Sequence, residues 1–191
     1  VQVVITLVDY QYNVVLESAF PGTDARTAVI GQVYAAIDIS AMILQLGAGL
    51  VISLIGVGGT LMSVPGVLTL CILGFIVSPL FAVMAAAKVA SKALDYSLFR
   101  AAKELVYLPL NHQERTQGKA VVDILTYRVA KGVASLCLLG LAAANASPQW
   151  VTWVALTLTA IWLALTFALL KQYGKRVSTR TPKTGVPASG E

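Results

Sequence analysis

Six apolar runs, each stopped by a short Pro-, Gly- or Asn-rich break, constrain this chain more than any other feature. The first covers about residues 1–20 and stops at Pro21-Gly22, and the second covers about 27–55 and ends at Gly56-Val57-Gly58-Gly59. The third covers about 60–77, with Pro65 near its start, and Ser78-Pro79 separates it from the fourth, about 80–108, which ends at Pro109. A polar loop at 111–118 leads to the fifth, about 119–144, and Asn145-Ala146-Ser147-Pro148 turns the chain into the sixth, about 149–170. A helix needs roughly 20 apolar residues to cross a bilayer core about 30 Å thick. Only 12% of the 191 residues are charged and the mean hydropathy is +0.77, so lipid rather than water is the main solvent. That balance excludes a secreted enzyme, a disordered tail and a free nucleic-acid-binding domain. The pattern predicts an all-α membrane protein: a six-helix transmembrane domain over residues 1–170, then a basic tail over 171–191. The tail is too poor in apolar residues to fold unless a partner holds it.

The chain opens at Val1 and enters an apolar run at once, with no cationic region or cleavage site, so the first run is not a signal peptide. It reads as a fragment or a processed product. Six spans would put both termini on one side, together with His112, Arg115 and Lys119 around the fourth loop and Lys171, Lys175, Arg176, Arg180 and Lys183 in the tail. The opposite side has only Arg26, beside Asp24. The excess of loop cations predicts that both termini are cytoplasmic.

Ionisable residues also recur where lipid is expected. Asp9, Asn13 and Glu17 form an i, i+4, i+8 stripe in the first run, and Lys88, Lys92, Tyr96 and Arg100 form another in the fourth. Asp123, Tyr127 and Lys131 repeat the spacing in the fifth, and Tyr34, Asp38 and Gln45 mark the second. The third and sixth runs carry no charge in their interiors and are expected to be the most lipid-exposed. A charge at mid-bilayer costs about 2.5–3.5 kcal/mol on insertion scales, so aligned charges imply a polar interior. Mutual pairing is one account: Asp9 with a lysine, Asp95 with Arg100, Glu104 with Lys103 or Arg128. Between Lys88 and Lys131, however, eight Lys and Arg face four Asp and Glu. The surplus of cations suits an anionic ligand.

Other chemistry is sparse. His112 is the only histidine, Cys71 and Cys137 sit in apolar runs as small buried hydrophobes, and no phosphate-cradling glycine loop is present. The sequence implies no metal, no cofactor, no enzyme and no nucleic-acid partner. Gly47-Ala48-Gly49 and the alanine-rich stretch 82–93 suit close helix packing. Trp150, Trp153, Tyr107 and Tyr173 fall near span ends, where interfacial aromatics belong.

Two segments carry a family resemblance. Ser91-Lys92-Ala93-Leu94-Asp95-Tyr96-Ser97-Leu98-Phe99 followed by Lys103-Glu104-Leu105-Val106-Tyr107-Leu108-Pro109-Leu110, then Gly118-Lys119-Ala120-Val121-Val122-Asp123 and Lys131-Gly132, resembles the ATP/ADP translocases of plastids and obligate intracellular bacteria. Leu7-Val8-Asp9 and Phe20-Pro21 match the family's first-span spacing. The resemblance implies a major-facilitator-like bundle, of which this chain looks like the C-terminal six-helix half, and adenine nucleotide as substrate. By position, Asp9 stands for the family's acidic group, with Lys92, Lys119 and Lys131 as phosphate-side cations. Two residues depart from the family pattern: Asn13 replaces a lysine, and Arg100 falls where the translocases usually have an aspartate or proline environment.

Together the stripes and the resemblance give Asp9, Lys88, Lys92, Arg100, Lys119, Asp123 and Lys131 as candidate substrate-binding residues. One reading is a secondary transporter half for a nucleotide or other organic anion, which needs a second six-helix half. The other is a non-transporting scaffold subunit of a larger membrane complex.

Overall fold

The computed structural model describes residues 1–106, 127–144 and 147–180, with side chains through residue 171. Every element among the described residues is helical. The chain forms α1 (Gln2–Ala19), α2 (Thr23–Leu46), α3 (Ala48–Val77) and α4 (Phe81–Leu94), then a π-helical turn (Asp95–Phe99) continuing directly into α5 (Arg100–Val106). After the undescribed stretch come α6 (Tyr127–Ala143) and α7 (Pro148–Arg180). Three of these, α2, α3 and α7, are long and apolar enough to cross a membrane on length and composition alone.

α1 sits at the centre of the bundle, packed on α4, α6 and α7, and α4 in turn touches α1, α2 and α3. Val4, Val8, Tyr12 and Leu16 place one face of α1 against Met84 and Ala87 of α4 and Val33 and Ile37 of α2. Leu7, between those positions, meets Ile72, Leu138, Val151 and Ala155 on the other side. Lipid tails are as apolar as leucine, so close approach rather than water exclusion holds such helices together. The alanines of α4 provide it, with Ala87 and Ala93 fully buried.

Several sequence expectations shift here. The second helix ends at Leu46, nine residues before the predicted Ile55, and α3 begins at once after Gly47. Gly47-Ala48-Gly49 is therefore a helix boundary, and its Ala48 is buried against Val64, Leu94 and Leu98. The Gly56–Gly59 break does redirect the chain, but inside α3. Gly56 has φ 73° and ψ 166°, a conformation essentially reserved for glycine. Thr60, fully buried, donates its hydroxyl to the Gly56 carbonyl at 2.8 Å. Gly58 then lets α3 and α7 approach, since a Cβ there would lie 3.0 Å from Leu170.

The third run is not the most lipid-exposed. In its most apolar stretch 33% of residues are buried, against 17% in α7 and 11% in α2, because α3 packs on both α4 and α7. Cys71 is half-buried, but Cys137 is exposed: α6 contributes only Ala134 and Leu138 to the core, and Cys137 lies beside that stripe. Trp150 and Trp153 are exposed at the start of α7. Tyr107 and the side chain of Tyr173 lie outside the described residues. The last helix runs through Arg180, past the predicted end of the membrane domain at 170, and residues 181–191 of the expected tail lie outside the described residues.

Candidate functional site

The centre of the bundle holds a charged cluster built from α1 and α4. Asp9 and Tyr12 stand at i and i+3 on α1, and Lys88 and Lys92 stand at i and i+4 on α4, so each pair shares a helix face. Where the faces meet, Asp9 Oδ2 lies 2.7 Å from Lys92 Nζ and Oδ1 lies 3.8 Å from Lys88 Nζ. The Lys88 ammonium also sits over the Tyr12 ring, 3.9 Å from its centroid, with the Tyr34 ring of α2 at 5.2 Å. A desolvated cation on an aromatic face gains about 2 kcal/mol. Those rings and the carboxylate together replace the hydration that Lys88 loses.

The two lysines differ in access. The Lys88 side chain is 4% exposed, Lys92 12% and Asp9 29%. Two ammonium groups face a single carboxylate, and Asp9 Oδ1 accepts no hydrogen bond. The cluster is thus cationic and opens towards Lys92 and Asp9. The rest of the acidic stripe does not join it: Asn13 is exposed, and Glu17 pairs with Arg26 at 3.5 Å beside the α1–α2 turn.

One turn further along, the π-helical segment changes the register. Gln2 of α1 donates to Asp95 Oδ2 at 3.2 Å, and the Ser97 hydroxyl donates to the Ala93 carbonyl. The anticipated Asp95–Arg100 ion pair does not form. A π turn adds a residue to the helix, rotating the next turns by about 100°, and such turns concentrate at functional sites. Tyr96, within the turn, and Arg100, just after it, line a groove of about 570 Å³ whose other wall is α2, with Asp38 and Gln45. A second space of about 610 Å³ shares Tyr96 and Arg100 and reaches Gln2, Glu104 and Tyr127.

Of the seven residues singled out in the sequence, Asp9, Lys88 and Lys92 come together, and Arg100 lies further along the same helix. Lys131 does not join them; its ammonium lies 4.7 Å from the centroid of its own neighbour Tyr127. Lys119 and Asp123 lie outside the described residues. Tyr12 and Gln2 escaped sequence reasoning. The spacing of Tyr12 from Asp9 was a usable signal, whereas nothing local marks Gln2 as a partner of Asp95. Among the described residues no group of His, Cys, Asp and Glu could hold a metal ion.

A protein-family model, the TLC ATP/ADP transporter, matches residues 39–173, which include Lys88, Lys92, Tyr96 and Arg100. The chain belongs to this family. With its apolar helices, it is an integral membrane protein. ADP,ATP carrier protein 1 of Chlamydia pneumoniae is 31% identical over 87 residues, covering 44% of this chain and 17% of the carrier. The chain is also 24% identical over 193 residues to the plastidic ATP/ADP-transporter of Solanum tuberosum, covering 88% of this chain and 31% of that protein. This family member therefore spans less than a third of the length of those relatives. No solved structure matches it.

Proposed function

We propose that this chain is one six-span, major-facilitator-like half of a secondary carrier for adenine nucleotides, or a close organic anion, and that Asp9, Lys88 and Lys92 form its anion site. The cationic cluster itself carries the reading. Two ammonium groups share one carboxylate at the centre of a helical bundle, and uncompensated cations inside a membrane protein mark an ion or substrate path. Lys92, the more accessible lysine, meets the phosphate; Lys88 holds the positive potential from behind; Asp9 positions both ammonium groups. Arg100, Lys119, Asp123 and Lys131 belong to the outer parts of the same path.

Family membership and the relatives' names support nucleotide as the substrate. Six helical spans result if α4, the π turn and α5 count as one, beside α1, α2, α3, α6 and α7. An even count places both termini on the cytoplasmic side with the loop and tail cations. Alternating access needs two repeats rocking about a midplane site, so transport requires a second half.

Binding of radiolabelled ATP to the purified protein tests the site. A charge-assisted hydrogen bond to phosphate contributes about 1.5–3 kcal/mol, so Lys92→Gln is expected to weaken binding by roughly 10- to 100-fold. Binding should also fall as salt is raised. Unchanged ATP affinity in a folded Lys92→Gln protein removes the cluster from the path. Gentle solubilisation that yields a stoichiometric larger complex without nucleotide uptake on reconstitution would favour a scaffold subunit instead.

A further inference from the structure

We infer that the groove between α2 and the π turn, lined by Tyr96, Arg100, Asp38 and Gln45, receives the uncharged organic end of the ligand, a planar heterocycle with its sugar, while the lysine cluster takes the phosphates. The inference rests on the anion-site reading and deepens it by giving the ligand a direction. Lys88, Lys92, Tyr96 and Arg100 succeed each other along one continuous helical segment. At 1.5 Å per residue their 12-residue separation spans about 18 Å, long enough for an extended nucleoside polyphosphate. The groove's volume of about 570 Å³ falls within the range of roughly 300–1,000 Å³ usual for small-molecule sites.

Charge sets the orientation. At the cluster, two ammonium groups face one carboxylate. At the groove, Arg100 stands opposite Asp38, and Asp95 lies just behind it on the second space. The cationic surplus is at the lysine end; in the groove itself one carboxylate, Asp38, balances one guanidinium, and the adjoining space adds Asp95 and Glu104 against Lys103. What remains favourable there is neutral hydrogen bonding and stacking. The Tyr96 ring is 42% exposed and available to a flat partner. Arg100 offers a guanidinium plane and donors, Gln45 an amide with both donor and acceptor, and Asp38 an acceptor for sugar hydroxyls or exocyclic amines. Base–aromatic stacking tolerates any π-face, and the polar edges supply discrimination. Tyr96 and Arg100 line the groove against α2, while Lys88 and Lys92 meet Asp9 of α1, with the Tyr34 ring of α2 also beside Lys88.

The test compares two probes on the full protein in detergent: ATP, and inorganic tripolyphosphate, which has the same charge-bearing end and no organic one. The parent protein is expected to bind ATP at least about tenfold tighter than tripolyphosphate, a difference of about 1.4 kcal/mol. Tyr96→Ala should remove most of that preference and leave tripolyphosphate affinity unchanged, which also reports that the variant is folded. Tyr96→Phe should retain it, and Gln45→Ala, on the opposite wall, should reduce it. Lys92→Gln should weaken both probes alike. If the parent binds both probes equally, or Tyr96→Ala and Gln45→Ala keep the full preference for ATP, the groove is not the organic subsite, though the anion site stands. If the parent binds neither probe, the anion-site reading fails and the groove assignment falls with it.

Discussion

Replacing Asp9 by asparagine should destabilise the protein chiefly through Lys88, and the size of the effect can be worked from burial. The substitution keeps shape and removes the negative charge that lies 2.7 Å from Lys92 and 3.8 Å from Lys88. Removing one partner of a buried ion pair costs about 3–5 kcal/mol, because the remaining charge stays desolvated. Asp9 is partly exposed, and Lys92 can swing towards the opening, so the lower end, about 3 kcal/mol, applies. Lys88 has no such escape: its ammonium is enclosed by the Tyr12 and Tyr34 rings. For a chain of this size a loss of about 1 kcal/mol lowers Tm by roughly 2–4 °C, so Asp9→Asn should melt about 6–12 °C below the parent. Tryptophan fluorescence during heating in mild detergent reads this directly, since Trp162 packs edge-on against Phe99 with ring centroids 6.0 Å apart. The decisive variant is the double Asp9→Asn/Lys88→Met. It removes the stranded ammonium, keeps side-chain length, and should recover more than half of the lost Tm. An Asp9→Asn protein that melts with the parent would refute the argument, as would a double variant that melts below the single one.

Further outcomes can be checked with the same assay or with labelling. Gly56→Ala should lower Tm by roughly 2–12 °C, because a Cβ at φ 73° and ψ 166° costs about 1–3 kcal/mol even where space is open. Gly58→Val should separate α3 from α7 by clashing with Leu170, and Leu170→Ala in the same protein should restore much of the loss, since the crowding atom belongs to a side chain. In a background with Cys71→Ser and Cys137→Ser, Asn111→Cys should react with an impermeant thiol reagent only from the cytoplasmic face, and Ser147→Cys only from the opposite face; the reverse pattern would invert the proposed topology.

The sequence carried the helical class because lipid leaves the backbone few ways to satisfy its own hydrogen bonds. Within the described residues, which leave out the break at 109–118 and the start of the fifth run, apolar runs and their breaks located most helix ends, except between α2 and α3. There a single glycine, Gly47, separates the helices, and the conspicuous glycine cluster about ten residues later is a kink inside α3. Glycine counts do not distinguish these cases, since what matters is φ at one position. The charged stripes were legible through i, i+4 periodicity, and Asp9, Lys88 and Lys92 do converge. Periodicity could not show that the fourth span changes register after Leu94. It assumes an α-helix throughout, whereas Asp95–Phe99 is π-helical. Partners distant in sequence, such as Gln2 for Asp95, are set by helix packing alone.

Burial separates two lysines that look equivalent in the sequence. Lys88 and Lys92 occupy successive turns of one helix, yet Lys88 is buried over an aromatic ring and Lys92 keeps a path to the outside. A buried, fixed cation raises the potential around it without changing its own contacts, so it can attract an anion without binding it directly. A partly exposed cation held by one carboxylate can exchange that carboxylate for a phosphate oxygen, since both present charged oxygen acceptors to the same ammonium. In the proposed anion site Asp9 would have two roles that pull in opposite directions: stabilising the empty site and competing with the incoming anion. The competition limits affinity, and a carrier must release what it binds. A site with the same lysines and no carboxylate would hold anions more tightly, at the expense of stability when empty.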